Sequence, residues 1–362
     1  MKNTLNMLFG DVSPDISIDV PYYKETITKN PNTYVKYGED NKFPNQLIDL
    51  LNQSPSASSI LSGTIEMLKN YEIKQHFDDL PYYPYINNYG DSLQDIFVQC
   101  AYDYIAFGMF FIQITWNKLG EIAELIHIPA EMCRMNEDRT TIFFNKNWAQ
   151  YSSKSIKYSA YTGNIEEDGY SQIYVYTNSG HRRTYGMSQF AAAINDIAAE
   201  AIASQYIKNS LDAGLSSRFL LDIPNSANLT DDQKADVEKA IKEKFCGAAN
   251  SGSFMIYFNN SDKALEVKTI DNDNSHERFN AIREAAKNNI FTCVHTTPNI
   301  FGSPTQTTGF NEQEYNQAYA LYYKMTIAPF INIFIRVFNN IYKNDNSIEI
   351  INDLPETKHT NE

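Results

Sequence analysis

Thr297–Lys343 reads TPNIFGSPTQTTGFNEQEYNQAYALYYKMTIAPFINIFIRVFNNIYK, and its two halves obey different rules. Pro298, Gly302, Pro304 and Gly309, set among Thr297, Thr305, Thr307 and Thr308, cannot sustain a helix or a central strand. From Asn311 the pattern turns helical. Tyr315, Tyr319, Tyr322 and Met325, then Phe330, Phe334, Val337, Phe338 and Ile341, recur at three- and four-residue steps, the spacing of one helix face. Pro329 falls inside that run. It has no backbone donor and its ring clashes with the preceding turn, so a kink is predicted there. No Lys or Arg occurs between Lys287 and Lys324, so the loop leads into its helix without a cation.

Working outward, the same loop is delivered by a second helix. Ser275 caps a predicted helix from His276 to Val294, with Phe279, Ile282, Ala286, Ile290 and Val294 on its inner face. Before it lies a block of about sixty residues with strand, helix and strand signals. Arg218–Ile223 is its first strand, Leu229-Thr230-Asp231-Asp232-Gln233 opens a helix that ends at Cys246-Gly247, and Ser253–Phe258 and Leu265–Ile270 are two more strands. Thr230 and Gln233 have capping-box spacing, and Asp231 and Asp232 suit the positive end of the helix dipole. Upstream again, Tyr185-Gly186-Met187-Ser188 starts an alanine-rich helix that runs to Ala213 and stops at Gly214.

The first half reads as mixed helix and strand. Residues 1–33, punctuated by Pro14, Pro21 and Pro31, read as an arm. Tyr37-Gly38-Glu39-Asp40-Asn41-Lys42-Phe43-Pro44 is a turn, with Pro44 in the first turn of a helix over Asn45–Asn52. A second helix covers Ser56–Lys69, with Ile60, Leu61, Thr64, Ile65 and Leu68 inward. Pro81–Gly90 is a loop, after which Asp91 or Ser92 caps a helix to Phe107 that carries Leu93, Ile96, Phe97, Cys100, Ala101 and Tyr104 inward. Met109–Trp116 and Glu121–Ile128 form a hairpin, and Thr140–Phe144 and Gln172–Tyr176 are further strands. The fold class is α+β.

Composition bounds the function. With 362 residues, 43% of them hydrophobic and 13% aromatic, the chain can bury a sizeable core. A net charge of −14 argues against a basic cleft that grips nucleic acid. No stretch approaches the roughly 18–20 uncharged apolar residues of a membrane span, so no membrane partner is expected. Cys100, Cys133, Cys246 and Cys293 are scattered and read as idle thiols. There is no phosphate-cradling GxxxxGK[ST], no GxSxG and no HExxH. His76, His127, His181, His276, His295 and His359 are dispersed, and Cys293 and His295, two apart, point in different directions. Asp78-Asp79, Glu166-Glu167 and Asp231-Asp232 read as solvated or cap charge, and Arg182-Arg183 as a strand-end basic knot. No catalytic residue, cofactor or metal is expected.

Four stretches in this order resemble the portal proteins of tailed bacteriophages. They are Tyr37–Pro44 with Ser54-Pro55; Tyr185–Ser188 with its alanine-rich helix; Leu229–Gly247 followed by Gly252-Ser253-Phe254-Met255-Ile256; and Pro298–Gly302 with its threonine-rich loop, Asn311-Glu312-Gln313 and Thr326-Ile327-Ala328-Pro329-Phe330. The likeness implies an α+β, multi-part protomer: N-terminal arm 1–33, α/β wing 34–186, stem helix 187–213, small α+β clip 214–272, second stem helix 273–296, tunnel loop 297–311, long kinked wing helix 312–343, and a tail 344–362 in which the helical crown of many portals is reduced or missing. It further implies a homo-oligomeric ring, usually of twelve, in the virion at one capsid vertex and assembled in the cytoplasm of a host bacterium. Double-stranded DNA passes through such a ring, which contacts the terminase large subunit, the head–tail adaptor and the major capsid protein. Ser303, Thr305, Gln306, Thr307, Thr308 and Gly309 would then face the DNA, and Asp231, Asp232, Lys234, Glu238 and Lys242 would face terminase or adaptor. A loop that gripped DNA would bring cations, since neutralising phosphate supplies most non-specific affinity. This one offers hydroxyls and an amide, as a low-friction conduit would. A minor head or connector protein of the same particle, and a DNA-processing enzyme with an unrecognised site, stand as alternatives.

Overall fold

The computed structural model describes residues 20–27, 33–77, 80–148, 154–179, 183–212, 219–223, 229–230, 232–237, 239, 246–247, 250–251, 254–258, 275–302 and 312–352. They fall into two compact units, one drawn from Ala199–Ala286 and the other from Asp19–Ala198 with Lys287–Glu362.

The larger unit begins where an arm was predicted. Glu25–Thr26 (β1) pairs antiparallel with Lys36–Tyr37 (β2), so part of 1–33 belongs to the body. Phe43–Gln53 (α1) and Pro55–Lys69 (α2) each carry proline in the first turn, where the missing donor would be unpaired in any case. Ser54 caps α2 by accepting from Ala57 N. Tyr71–Gln75 (β3) follows. Leu93–Phe107 (α3) opens with a complete capping box between Ser92 and Asp95 and closes on Gly108 in the left-handed region.

Met109–Trp116 (β4) and Ile122–Ile128 (β5) make the predicted hairpin. With Cys133–Met135 (β6), Thr141–Phe144 (β7), Ile156–Ala160 (β8) and Ser171–Thr177 (β9) they form a six-stranded sheet in the order β5-β4-β9-β8-β7-β6. Within this sheet the described pairs are antiparallel except β8 and β9, which pair in parallel. The crossover between them, which includes Ile165–Asp168 (α4), is pinned by the fully buried Gln172. Its Oε1 accepts from Thr162 N and Gly163 N, and its Nε2 donates to Asn164 O and Gly169 O.

The alanine-rich helix starts later than predicted. Ser188 Oγ accepts from Phe190 N, Ala191–Ala193 is a 3-10 turn, and Ile194–Asp212 (α5) is the α-helix. In the smaller unit, Phe219–Ile223 (β10) pairs in parallel with Phe254–Phe258 (β13), a pairing that requires a crossover. Residues 232–237 (α6) lie in that connection. Cys246–Gly247 (β11) pairs with Asn250–Ser251 (β12), so Cys246-Gly247 is strand, not the end of a helix. The strand predicted at Leu265–Ile270 lies outside the described residues.

Ser275–Cys293 (α7) matches its prediction in extent. Tyr206 of α5 stacks on Phe279 of α7 at 3.8 Å, yet Asn280 to Ala285 are exposed at every position. Ile282, expected inward, is 47% exposed. Its spacing is helical, but among the described residues nothing covers it.

The predicted kinked helix is Glu312–Tyr322 (α8), a π-helical turn Tyr323–Ile327, and Ala328–Tyr342 (α9). Pro329 sits in the first turn of α9, where a missing donor costs little, and the irregularity is taken up before it. Ala328 N donates to Tyr323 O, five residues back. The extra residue turns the face. Tyr322 and Ile327, five apart and therefore about 140° apart on an α-helix, are both buried, while Met325 is 46% exposed instead of inward. Beyond the π turn the predicted face returns: Phe330, Phe334, Val337, Phe338 and Ile341 are buried, each burial worth roughly 1.5–3 kcal/mol. Finally Ile348–Asn352 (β14), within the predicted polar tail, pairs antiparallel with β3.

Candidate functional site

Ser303, Thr305, Gln306, Thr307, Thr308 and Gly309 lie outside the described residues, as do Asp231, Glu238 and Lys242. Of the other candidates, Asp232 is exposed and Lys234 half-buried on α6. Thr230 and Gln233 form the predicted capping box, Thr230 N donating to Gln233 Oε1 at 3.0 Å and Gln233 N to Thr230 Oγ1 at 3.3 Å.

The segments on either side of 303–311 are held by one clamp. On the near side Pro298–Phe301 is a 3-10 turn closed by Gly302 at φ 79°. Ile300 is buried, and the Phe301 ring lies against α2 where Gly63 leaves room: a β-carbon there would stand 2.5 Å from Phe301 Cδ1. On the far side Tyr322, fully buried, meets the next residue of α2, its Oη 2.5 Å from Thr64 Oγ1. Thr64 already donates its proton to Ile60 O at 2.6 Å, so Tyr322 is the donor. Burial pushes the Tyr322 phenol up to about 12, which keeps it protonated and able to donate. Phe301 and Tyr322 meet edge-on at 5.8 Å, and Asn299 Nδ2 donates to Glu314 Oε1 at 3.3 Å. Adjacent residues of α2, Gly63 and Thr64, thus receive one stem each.

A second assembly joins the other two quoted motifs. Tyr37 and Tyr185, 148 positions apart in the numbering from 37 to 185, stack at 4.2 Å with an interplanar angle of 1°. Beside them lies Arg134, fully buried. Its Nε donates to Asn41 Oδ1 at 2.7 Å, its Nη2 to Asn41 O at 2.7 Å, and its Nη1 to Glu131 O and Cys133 O. Its guanidinium faces the Trp148 ring at 4.8 Å and the Tyr37 ring at 5.7 Å. Burial lowers the arginine's pKa and raises those of Tyr37 and Tyr185, so the phenols stay neutral. Tyr185 Oη donates to Val35 O, and Glu25 accepts from Thr184 N and Tyr185 N. Gly186 is required by contact: a β-carbon there would stand 2.4 Å from Gly108 O at the end of α3.

Beneath this assembly, Asp103 Oδ2 accepts from Ala130 N at 2.9 Å and pairs with His127 Nε2 at 2.7 Å. Sequence reading missed Arg134, Asn41 and the Asp103–His127 pair. Its one usable signal was the repeated Tyr-Gly at 37–38 and 185–186. Cys293 Sγ faces Gln189 O at 3.7 Å, and no group of three His, Cys, Asp or Glu disposed to hold a metal occurs among the described residues. Arg183 of the basic knot lies over the Tyr23 ring at 4.7 Å. Among the described residues no helix is long and apolar enough to cross a membrane.

Residues 25–353 match the family model described as phage portal protein. No curated protein matches. Among solved structures, a chain of the virion of a native gene transfer agent particle superposes with a TM-score of 0.59 at 16% identity, covering 91% of this chain and 88% of that one. A chain of the neck of that native particle, computed with C12 symmetry, gives 0.54 at 16%, covering 87% and 86%. An HK97-family phage portal protein from Corynebacterium diphtheriae gives 0.54 at 12%, covering 86% of this chain and 98% of that one.

Proposed function

The chain belongs to the phage portal protein family, a structural and non-enzymatic one, and we propose that it works as one protomer of a ring at a single capsid vertex of the virion, through which double-stranded DNA enters and leaves. The match over 25–353 carries this reading. A feature of the chain itself supports the ring: α7 from Asn280 to Ala285 is exposed all round and includes Ile282, as a helix would be whose cover comes from neighbouring copies. The C12 symmetry of the similar neck favours twelve copies.

In this reading 34–186 and 312–343 build the wing, 187–213 and 273–296 the stem, 214–272 the clip, and 297–311 the tunnel loop. The loop, free of Lys and Arg, would let phosphate slide, while the clamp at Gly63 and Thr64 holds Phe301 before it and Tyr322 at the end of the helix after it. Asp231, Asp232, Lys234, Glu238 and Lys242 would meet the terminase large subunit and then the head–tail adaptor, and the wing would meet the major capsid protein.

Electron microscopy of the purified chain tests the ring: particles with an axial channel are expected, and a monodisperse monomer would overturn the reading. Shortening Ser303–Thr308 tests the loop. Rings should persist while DNA packaging or retention falls; failure to assemble would make the loop an interface element instead.

A further inference from the structure

One exposed surface of the larger unit lies outside both the clamp and the Arg134 assembly. Four tyrosines on the loop after Leu80 face solvent: Tyr82 is 40% exposed, Tyr83 53%, Tyr85 50% and Tyr89 74%. The loop that bears them is tied down. Ile86 and Asn87 are buried, Leu125 N donates to Ile86 O at 2.9 Å, and Ile86 N donates to Asp91 O at 2.9 Å. Asn87 Nδ2 donates to Leu125 O and Asp91 Oδ2, its Oδ1 accepts from Tyr89 N and Asp91 N, and Asn88 N donates to Glu124 Oε1. The loop therefore covers the outer edge of β5 and presents its rings from an ordered backbone. Tyrosines held this way offer large contact area with few rotors to freeze.

At the Ile122 end of β5 a cleft of about 620 Å³ is lined by Phe77, Leu80, Trp116, Ile122, Tyr161 and Tyr342, with Glu121 and Lys343 also on its walls. Leu80 joins cleft and loop, since Tyr83 N donates to Leu80 O at 3.1 Å. The charge around this surface is mostly negative. No Lys or Arg occurs between Lys74 and Lys118, Asp91 and Glu124 bond to the loop, and Glu121 lines the cleft together with Lys343.

We propose that the tyrosine loop and the aromatic cleft form one docking surface for a segment of a different protein, an apolar anchor flanked by lysine or arginine. The cleft takes the anchor, and the tyrosine faces and carboxylates take the cations. Charge decides among occupants. Carboxylates beside the rings repel the phosphates of DNA, and a chain of net charge −14 is a poor complement to its own acidic face. The proposal does not depend on the ring.

The test is fluorescence anisotropy at about 0.15 M salt, where exposed charges act over less than about 10 Å. Three labelled probes are titrated with the full chain: a short peptide with a Leu-Phe pair between two arginine pairs, the same peptide with glutamates for arginines, and a DNA duplex. The arginine peptide should bind at least tenfold more tightly than the glutamate peptide. Replacing Tyr82, Tyr83, Tyr85 and Tyr89 by serine leaves the charge unchanged and should weaken it at least tenfold. Tyr89→Ser with Glu121→Gln, both at exposed positions, should weaken it severalfold, and Glu66→Gln on α2, which removes one carboxylate elsewhere, should not. Equal binding to all variants, no peptide binding, or tighter binding of the duplex through the same tyrosines would overturn the proposal. So would loss of the ring by the tyrosine variant, which would assign the loop to contact between copies; a wild-type chain that forms no ring but binds the peptide would overturn only the ring reading.

Discussion

The two aromatic assemblies solve the same problem with different tolerances. Each joins stretches far apart in sequence, the Arg134 assembly joining 37–44 to 185–188 and the clamp joining 298–301 and 322 to 63–64. In the first, rings lie parallel at 4.2 Å, and one side chain fills its hydrogen bonds on Asn41 and on the carbonyls of Glu131 and Cys133. In the second, Phe301 and Tyr322 meet edge-on at 5.8 Å, Phe291 and Phe301 are tilted at 6.0 Å, and a π turn follows at once. The close-fitted region secures the body. The looser one holds a loop by two adjacent residues of α2 and leaves its helix a register irregularity. If that contrast is sound, damage to the first should spread through the fold, while damage to the second should stay near the loop.

The largest effect is expected from Arg134→Met. Asn41 Oδ1, Asn41 O, Glu131 O and Cys133 O would lose a charged donor in a buried site, and each such loss is worth about 1–3 kcal/mol. Stability should fall by at least about 3 kcal/mol in guanidinium unfolding. Trp148, 4.8 Å from the guanidinium and one of only two tryptophans, reports the change. A loss near zero would show the assembly to be ornamental. Gly63→Val comes next. It places a β-carbon where Phe301 now lies, so overpacking should cost about 2 kcal/mol and the stem should detach. Limited proteolysis between Gly302 and Glu312 should then quicken while the Trp148 signal stays unchanged. A change at Trp148 would erase the distinction between the two regions.

These expectations follow contacts that the sequence announced unevenly. Elements with their own local chemistry were legible: the cap at Ser92 and the helix end at Phe107, the β4–β5 hairpin and the Thr230–Gln233 box all depend on residues within a few positions. What escaped depends on distant partners. β6, β8, β3 and β14 are short, and β14 forms because β3, more than two hundred positions earlier in the numbering, offers an edge. Arg134 reads as a surface cation until the fold brings Asn41 and Trp148 around it. Met325 fits the helical face by spacing, but nothing local specifies the π turn that rotates it outward. For the candidate site, the order of the motifs was legible and their joinery was not.

Tyr322→Phe is the milder test of the clamp. It removes one buried hydroxyl and leaves Thr64 Oγ1 still donating to Ile60 O, so the loss should be about 1 kcal/mol. Combined with Gly63→Val it should prove less than additive, because both act on Phe301 and its neighbour. Full additivity would mean that the two stems are held independently.

The smallest effect distinguishes burial from pairing at the base of the tight region. Asp103 is fully buried, and burial raises its carboxyl above the ordinary 3.8, opposed by His127 and by the Ala130 N–H. Glu131, itself raised chiefly by burial, and Arg134 are charged groups at and beside the 3-10 turn Ala130–Met132. A group with a raised folded pKa binds a proton more readily folded than unfolded. Its contribution to stability is therefore complete below 3.8 and is lost as pH rises through the higher folded value. Asp103→Asn cannot titrate, so the variant should gain on the wild type as pH rises from below 3.8 toward neutrality, measured as the difference in unfolding free energy at matched ionic strength. If the wild type instead gains on the variant, the 2.7 Å pairing with His127 outweighs desolvation, and the tight region rests on an ion pair as well as on stacked rings.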